Sequence, residues 1–329
     1  RRVIRGVKVG GQARARQGPN SMETQKTTID YLRFRVQEEP RTVLEALRPM
    51  FGTLGSDLRF KHLQRGSMGF QQAAQIVVED MPLLRLDYGG ESQRGWVRVE
   101  MSGQGCEWVQ DWEAVESVES LPQAQIRRLD IALTTWDGEV SHERVVNAHS
   151  AGRFACGGRP PELRQITSSN ERAGRTCYVG QRTADKFFRA YEKGFELAAK
   201  IPYFNGVVQE IDGHRVEDIY RCELELKADT RPIGWDVIER RDQYFAGAYP
   251  FCADVLPGVE ADILMRRKER APQMSLAWAL ENCRVQFGAT LFTAMAAFGG
   301  DVFAVWDKVV GKQHNQQLLE AGVLLVDHE

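Results

Sequence analysis

YRCELELK at Tyr220–Lys227 alternates apolar and charged residues at every second position. Side chains two residues apart in a β-strand share a face, so Cys222, Leu224 and Leu226 point one way and Glu223 and its charged neighbours point the other. One apolar and one charged face are typical of a strand in an antiparallel sheet that covers a core on one side only. The stretch therefore predicts such a sheet.

The same alternation predicts further strands, and helix-like spacing predicts helices between and after them. The strands are Ile29–Val36, Gly95–Met101, Arg128–Thr134, Thr176–Gly180 and Lys186–Lys193. The helices are Arg41–Met50, Ser141–Ala148, Trp235–Tyr244, Ile263–Arg270 and Ser275–Lys308, the last with a break at Gly299-Gly300 and with Trp278, Val285, Leu291 and Phe292 as core candidates.

The order of these elements predicts an α+β fold, because the strands precede a region of helices. We expect three parts along the chain. Residues 1–21 form a basic flexible tail, residues 22–234 an α+β domain built on an antiparallel sheet, and residues 235–329 a mostly helical C-terminal region.

Composition excludes several classes of protein. The chain has 329 residues, of which 43% are hydrophobic, enough for a sizeable core. No apolar run reaches the roughly 18 residues of a membrane span. The six cysteines include no CxxC pair, which argues against a disulfide framework and a clustered zinc site and predicts a reducing, cytoplasmic compartment.

Charge is unevenly distributed along the chain. The net charge is −2, from 43 Lys+Arg and 45 Asp+Glu, yet residues 1–21 hold basic residues and no acid. The tail is either a solvated arm or a DNA-binding arm. Because the rest of the chain is acidic overall, any nucleic-acid contact there requires a local basic cluster.

Carboxylates recur on the charged faces of three predicted strands, at Glu100, Asp130, Glu223 and Glu225. Taken singly, each is typical of a solvated strand face. If the strands are adjacent, two or three of these carboxylates converge, and oxygen ligands of this kind suit Mg²⁺ or Mn²⁺. The histidines form no HxH or HExxH pattern, so they predict no alternative metal site.

KFFRAYEK at Lys186–Lys193 places Tyr191 between two cations, since Arg189, Tyr191 and Lys193 share a strand face. A tyrosyl hydroxyl is a poor nucleophile at its usual pKa of about 10, and neighbouring positive charge favours the phenolate. Both cations can also hold a phosphate. Tyr191 is therefore either a nucleophile for phosphoryl chemistry or an ordinary packing residue.

Together these segments resemble the replication initiation factor family, the rolling-circle initiators of filamentous phages and small plasmids. The similarity extends over about 200 residues. It rests on IDYLRF at 29–34, YGG at 88–90, VRVEMSGQGC at 97–106, RRLDIAL at 127–133, RTCYVGQRTADKFFRAYEKGFE at 175–196 and YRCELELK at 220–227.

The resemblance implies a metal-dependent enzyme that nicks and rejoins DNA at a replication origin. In the family's RxYxK motif the tyrosine attacks a phosphodiester, leaving a 5′-phosphotyrosine and a free 3′-hydroxyl, which maps here onto Arg189, Tyr191 and Lys193. Tyr178 is the competing tyrosine, with core packing as its alternative role. The implied ligands of Mg²⁺ or Mn²⁺ are Asp130 and Glu223 first, then Glu100 and Glu225, with Asp30 as a candidate because Thr134 stands where plasmid relatives often carry a second acid.

Origin DNA is the partner that the resemblance implies. Arg221 and Lys227 are predicted to contact it at the nick, and basic residues after the sheet to recognise the duplex: Arg240, Arg241, Arg266, Arg267 and Lys268. The resemblance also implies a host helicase, and the sequence leaves a homodimer open. Two other functions compete, a DNA-binding regulator without the chemistry and a metal-dependent nuclease that uses water.

Overall fold

The computed structural model describes residues 3–4, 25–156, 158–201, 207–261 and 276–314. The predicted tail at 1–21, apart from Val3–Ile4, and the predicted helix at 263–270 lie outside these residues. The strands are β1 Val3–Ile4, β2 Thr28–Val36, β3 Arg59–Leu63, β4 Gln72–Val78, β5 Met81–Tyr88, β6 Val97–Met101, β7 Gln125–Thr135, β8 Leu163–Ile166, β9 Thr176–Val179, β10 Lys186–Tyr191, β11 Val207–Val208, β12 Glu210–Ile211, β13 His214–Arg215 and β14 Tyr220–Lys227.

The helices lie between and after these strands. They are α1 Pro40–Leu47, α2 Gly103–Cys106, α3 Glu116–Glu119, α4 His142–Ser150, α5 Lys193–Ala199, α6 Arg241–Ala248, α7 Pro250–Val255, α8 Leu276–Ala297 and α9 Val302–Val309. Helix α1 begins with a proline at its first position, which suits the fixed φ of that residue, and continues as a 3₁₀ segment over Arg48–Asp57.

Ten of the strands form one antiparallel sheet in the order β3-β4-β5-β6-β2-β7-β14-β10-β9-β8. The predicted α+β fold with an antiparallel sheet is confirmed. Strands β7, β14 and β10, which carry Asp130, Glu223 and Tyr191, are neighbours in the sheet. Their side chains therefore meet on a common face.

The apolar face of this sheet packs against helices. Leu129 and Ile131 of β7 and Leu224 of β14 are fully buried, as the alternation predicted. They belong to one core with residues of α1, α6 and α7, including Phe245 and Phe251. The charged face remains open and carries the residues of chemical interest.

The first compact unit of the chain extends past residue 234, to Arg266. Trp235, Ile238 and Phe251 lie in the same core as the sheet, so the segment after β14 completes the domain. The division predicted at residue 234 stays a prediction, which a truncation can test.

The second unit, Arg267–Glu329, contains α8 and α9. Its helical character and the break at Gly299-Gly300 agree with the sequence prediction. Two predicted core residues are not in a core, because Val285 and Phe292 are 42% and 79% exposed. Apolar residues are spread around the whole circumference of α8, so a helical period alone could not identify a buried side. Within the described residues, no helix is long and apolar enough to cross a membrane.

Candidate active site

A polar cleft of ≈ 700 Å³ opens on the charged face of the sheet. It contains Tyr191 together with the predicted residues Arg189, Lys193, Glu223 and Arg221. The rest of its lining is Asp30, Gly103, Gln104, Glu107, Thr176, Tyr178, Glu196 and Lys200. Among these, Gln104, Glu107, Glu196 and Lys200 were not predicted from the sequence, since they lie in or directly after short helices where no charge pattern distinguishes them.

The register of the central strands brings these side chains together. Tyr191 of β10 is paired with Arg221 of β14, and Arg189 with Glu223. Directly opposed residues on antiparallel strands lie close enough for their side chains to interact. The antiparallel pairing thus converts two separate sequence motifs into one site.

Tyr191 is the last residue of β10 and is held by two charged neighbours. Its hydroxyl donates a hydrogen bond to Glu223 Oε1 at 2.7 Å, and Lys193 Nζ donates to the hydroxyl oxygen at 3.4 Å. Arg189 binds the other carboxylate oxygen of Glu223, with its Nε at 2.7 Å. Glu223 is only 3% exposed, so this carboxylate is fixed by its partners.

The electrostatics of Tyr191 differ from the sequence expectation. Burial raises the pKa of Tyr191 well above 10, the charge of Glu223 raises it further, and Arg221 opposes both. The cations therefore do not make Tyr191 a phenolate in the resting protein, because burial and the charge of Glu223 outweigh Arg221. The hydroxyl is protonated and needs a proton acceptor before it can attack.

Lys193 reaches the site in another way than predicted. The strand ends at Tyr191, and Lys193 is the first residue of α5 rather than a strand residue. Gly194 allows this helix to approach closely, since a Cβ there would lie 1.9 Å from the carbonyl oxygen of Val216. The local helix, not strand alternation, therefore places the Lys193 ammonium beside the Tyr191 hydroxyl.

An acid lies behind Lys193. Glu196 Oε1 accepts hydrogen bonds from Lys193 Nζ at 2.8 Å and from Lys200 Nζ at 2.6 Å. Burial alone would raise the pKa of Glu196, but the two ammonium groups outweigh it and lower that pKa to about 2. Burial, together with the charge of Arg221, lowers the pKa of Lys193.

Arg221 lies beneath the cleft and is held by two partners. Its guanidinium donates to Asp30 Oδ1 and to Thr134 Oγ1, each at 2.9 Å. Asp30 falls at an irregularity in the pairing of β2 with β7, which turns it toward this site. Thr134, where an acid was expected, thus serves to orient an arginine.

The remaining carboxylates predicted as metal ligands lie outside the cleft. Asp130 and Glu225 are directly opposed on β7 and β14, and Arg128 is paired with both, at 2.6 and 2.9 Å. Asp130 is buried, which raises its pKa to about 6 although Arg128 opposes the shift. Glu100 lies on β6, beyond β2, and is paired with Arg98.

The five predicted carboxylates are of the chemical type that binds a divalent cation, but they are not arranged around a common point. Carboxylate oxygens are the ligands that Mg²⁺ and Mn²⁺ prefer. Each of the five carboxylates is instead paired with an arginine. Within the part of the chain that the structure describes, no three Asp, Glu, His or Cys side chains are grouped to hold a metal ion. The buried Asp130 and Glu223 also depart from the solvated surface expected of single strand acids.

The predicted DNA-binding residues are dispersed. Lys227 is paired with Glu225 at 2.8 Å, and Arg240 with Asp236 at 3.2 Å. Arg241 is turned inward, where its Nε donates to the carbonyl of Thr27 at 3.0 Å. Arg241 therefore ties α6 to the sheet. Arg266, Arg267 and Lys268 lie outside the described residues.

Comparison with known proteins agrees with the sequence resemblance. Residues 124–282 match the family model of the replication initiation factor, and this span includes Tyr191 and Glu223. The resemblance to the replication initiation factor family is confirmed. No curated protein sequence matches the chain significantly.

A solved structure also matches, that of a rolling circle replication initiator protein from Geobacillus stearothermophilus. The two structures superpose with a TM-score of 0.51 over 79% of this chain and 96% of that chain. Their sequences are 21% identical, so this likeness shows a shared fold.

Proposed function

We propose that this protein initiates rolling-circle replication by nicking one strand at an origin, with Tyr191 as the nucleophile, and later rejoins that strand. The observation that carries this proposal is the environment of the Tyr191 hydroxyl. It lies in an open polar cleft, 2.7 Å from a carboxylate that can take its proton and 3.4 Å from an ammonium that can hold a phosphate.

Glu223 serves as the general base. As Tyr191 Oη attacks the scissile phosphorus, its proton passes to Glu223 Oε1 along the existing hydrogen bond. The bond from phosphorus to the 3′-oxygen breaks, and that oxygen leaves with the electron pair and takes a proton from solvent water. The products are a 5′-phosphate joined to Tyr191 and a free 3′-hydroxyl, which can prime synthesis.

Lys193 and Arg221 supply positive charge for the phosphate. Charge develops on the phosphoryl oxygens during the attack, and preorganised cations stabilise it. Lys193 Nζ is anchored by Glu196, and Arg221 by Asp30. Arg189 has a different role, since its guanidinium holds Glu223 in position for the proton.

Joining is the reverse of the same step. The phosphotyrosine retains the energy of the original phosphodiester, so a 3′-hydroxyl can attack it and give its proton to solvent water, while protonated Glu223 returns the proton to Tyr191. We expect the strand to be unpaired where it enters the cleft, because the family resemblance implies chemistry on single-stranded or extruded DNA at the nick. Origin DNA is therefore expected to be melted or extruded at the nick.

Several properties stay predictions. The family resemblance implies dependence on Mg²⁺ or Mn²⁺ and recruitment of a host helicase. The basic residues predict duplex recognition by the segments around Arg240 and Arg266, the cysteine pattern predicts a place in the cytoplasm of a bacterial host, and the sequence leaves a homodimer open. Each candidate carboxylate ligand is paired with an arginine, so the nicking step is described by the protein's own side chains.

The decisive experiment incubates the protein with labelled single-stranded origin DNA and Mg²⁺ or Mn²⁺, and maps any covalent adduct by peptide mass spectrometry. We expect an adduct on Tyr191 that is lost in Tyr191→Phe and retained in Tyr178→Phe. Cleavage without an adduct would indicate a water-using nuclease. An adduct on Tyr178 would contradict the assigned nucleophile, and binding without cleavage would indicate a regulator.

A further inference from the structure

Tyr178, whose alternative role was core packing, is not a core residue. It is partly exposed and lines the same cleft as Tyr191. Its ring lies 5.5 Å from the ring of Phe187, centroid to centroid, and Phe187 is only 4% exposed. The Tyr178 ring is thus supported by the buried Phe187 ring on the charged face of the sheet, while part of its surface remains open to the cleft.

Arginines surround this ring. Arg164 of β8 and Arg189 of β10 are directly opposed to Tyr178 on its two neighbouring strands. Arg182 places its guanidinium 5.6 Å from the centroids of both the Tyr178 and Phe187 rings. The Tyr178 ring is therefore bordered by a cation on each neighbouring strand, and the Arg182 guanidinium lies near both the Tyr178 and Phe187 rings.

Arg164 and Arg182 differ from Arg128 and Arg189 in their ion pairing. Arg128 and Arg189 are neutralised by carboxylates. The side chains of Arg164 and Arg182 are exposed and form no ion pair or hydrogen bond with any residue in the described ranges. Their charge is accordingly available to a ligand.

An aromatic ring bordered by available arginines is what unpaired nucleic acid requires. Every base has a π-face that stacks on such a ring, and arginines hold the adjoining phosphates. We propose that Tyr178 is a stacking site for an unpaired base of the DNA strand beside the scissile phosphate, with Arg164 and Arg182 contacting the phosphates next to that base. This inference rests on the proposed function, because it assumes that the strand enters the cleft of Tyr191.

Photo-crosslinking tests the contact directly. The probe is a single-stranded oligonucleotide of 5-iododeoxyuridine, about twelve nucleotides long, within the range that one binding surface covers. We expect irradiation to join the probe to Tyr178 in the Tyr191→Phe variant, which cannot form the phosphotyrosine. Crosslinks confined to a tyrosine outside the cleft, such as Tyr88, would overturn the proposal.

Affinity measurements test the energetic part. Tyr178→Leu retains an apolar cover over Phe187 but cannot stack a base, so we expect it to bind the probe about tenfold more weakly, while Tyr178→Phe binds like wild type. Replacing Arg164 and Arg182 with serine should lower the slope of log affinity against log salt by about 1.4, that is, about 0.7 for each phosphate contact.

The matched control is Tyr88→Leu, which alters a tyrosine that is paired with His62 outside the cleft. Equal affinity of Tyr178→Leu and wild type would overturn the stacking site even if Tyr191 forms the adduct. Weaker binding by Tyr178→Leu, in a protein that never nicks DNA, would retain the stacking site and reject the nicking function. The two proposals can therefore fail separately.

Discussion

Glu223→Gln separates the role of a base from that of a positioning residue. The substitution preserves the size of the side chain and leaves an oxygen that can accept a hydrogen bond, but it removes the ability to take the proton of Tyr191. Because the hydroxyl is protonated in the resting protein, nicking should slow while DNA binding is retained. Binding can even tighten, since a negative charge leaves the cleft.

The size of the loss follows from two opposing effects. General base catalysis contributes about 10²-fold to 10⁴-fold, or about 3–5.5 kcal/mol of activation free energy. Burial does most to raise the pKa of Tyr191, and the charge of Glu223 comes next. Removing that charge lowers the pKa of Tyr191, which restores part of the lost nicking rate. We therefore expect a deficit near the lower end, about 10²-fold at neutral pH.

The pH profile gives this prediction a second signature. The phenolate fraction rises about tenfold per pH unit below the pKa of Tyr191, and a variant without the base depends on that fraction. The deficit of Glu223→Gln should therefore narrow as the pH rises. Single-turnover nicking of origin DNA, measured across the pH range with the protein in excess, provides both readouts.

Glu225→Gln is the matched control, since Glu225 lies on the same strand face but is paired with Arg128 and Lys227 outside the cleft. It should nick at nearly the wild-type rate. Wild-type speed in Glu223→Gln would refute the assignment of the base. An equal loss in both variants would indicate that the carboxylates act as a set, as metal ligands do.

Three further predictions concern the metal, one buried acid and the domain boundary. EDTA should abolish nicking and added Mg²⁺ or Mn²⁺ should restore it, as the family resemblance implies; nicking that persists in EDTA would reject the metal. Burial raises the pKa of Asp130 from 3.8 to about 6, although Arg128 opposes the shift, so the folded protein binds this proton more readily than the unfolded chain does. Urea unfolding should show wild type gaining up to about 3 kcal/mol relative to Asp130→Asn as the pH falls from above 6 to below 4, and an unchanged difference would contradict this. A fragment ending at residue 234 should lack a cooperative melting transition that a fragment ending at residue 261 retains, because it exposes the core around Phe245 and Phe251 and each buried phenylalanine contributes about 1.5–3 kcal/mol; cooperative melting of the shorter fragment would support the boundary predicted at 234.

The sequence predicted the sheet well because alternation reports burial directly. Val97, Val99 and Met101 are buried as expected, and so are Leu129, Ile131 and Leu224. Position 193 was harder, because the alternation of KFFRAYEK continues past the point where the strand becomes a helix. Gly194 lets the helix that follows approach the carbonyl of Val216 closely, and this contact could not be predicted because Val216 is distant in sequence.

The cross-strand partners of Glu223 and Glu225 could not be predicted, because they depend on register. Strand alternation places Asp130, Glu223 and Glu225 on one face, which suggested a group of ligands. The pairing of β14 with β10 sets Arg189 beside Glu223, and the pairing of β7 with β14 brings Glu225 to Arg128, which also binds Asp130 on its own strand. A pattern of one strand carries no information about which charge of the next strand will neutralise it.

The same register explains why a nucleophile and its base come from separate motifs. If β10 slipped by one residue against β14, Arg189 would no longer oppose Glu223, and every side chain of the strand would change faces. The buried Phe188 and Ala190 prevent such a slip, since they would have to leave the core. Phe188 and Ala190, which alternate with Arg189 and Tyr191, thus fix the chemistry as firmly as the charged residues, because they determine where the Tyr191 hydroxyl meets its proton acceptor.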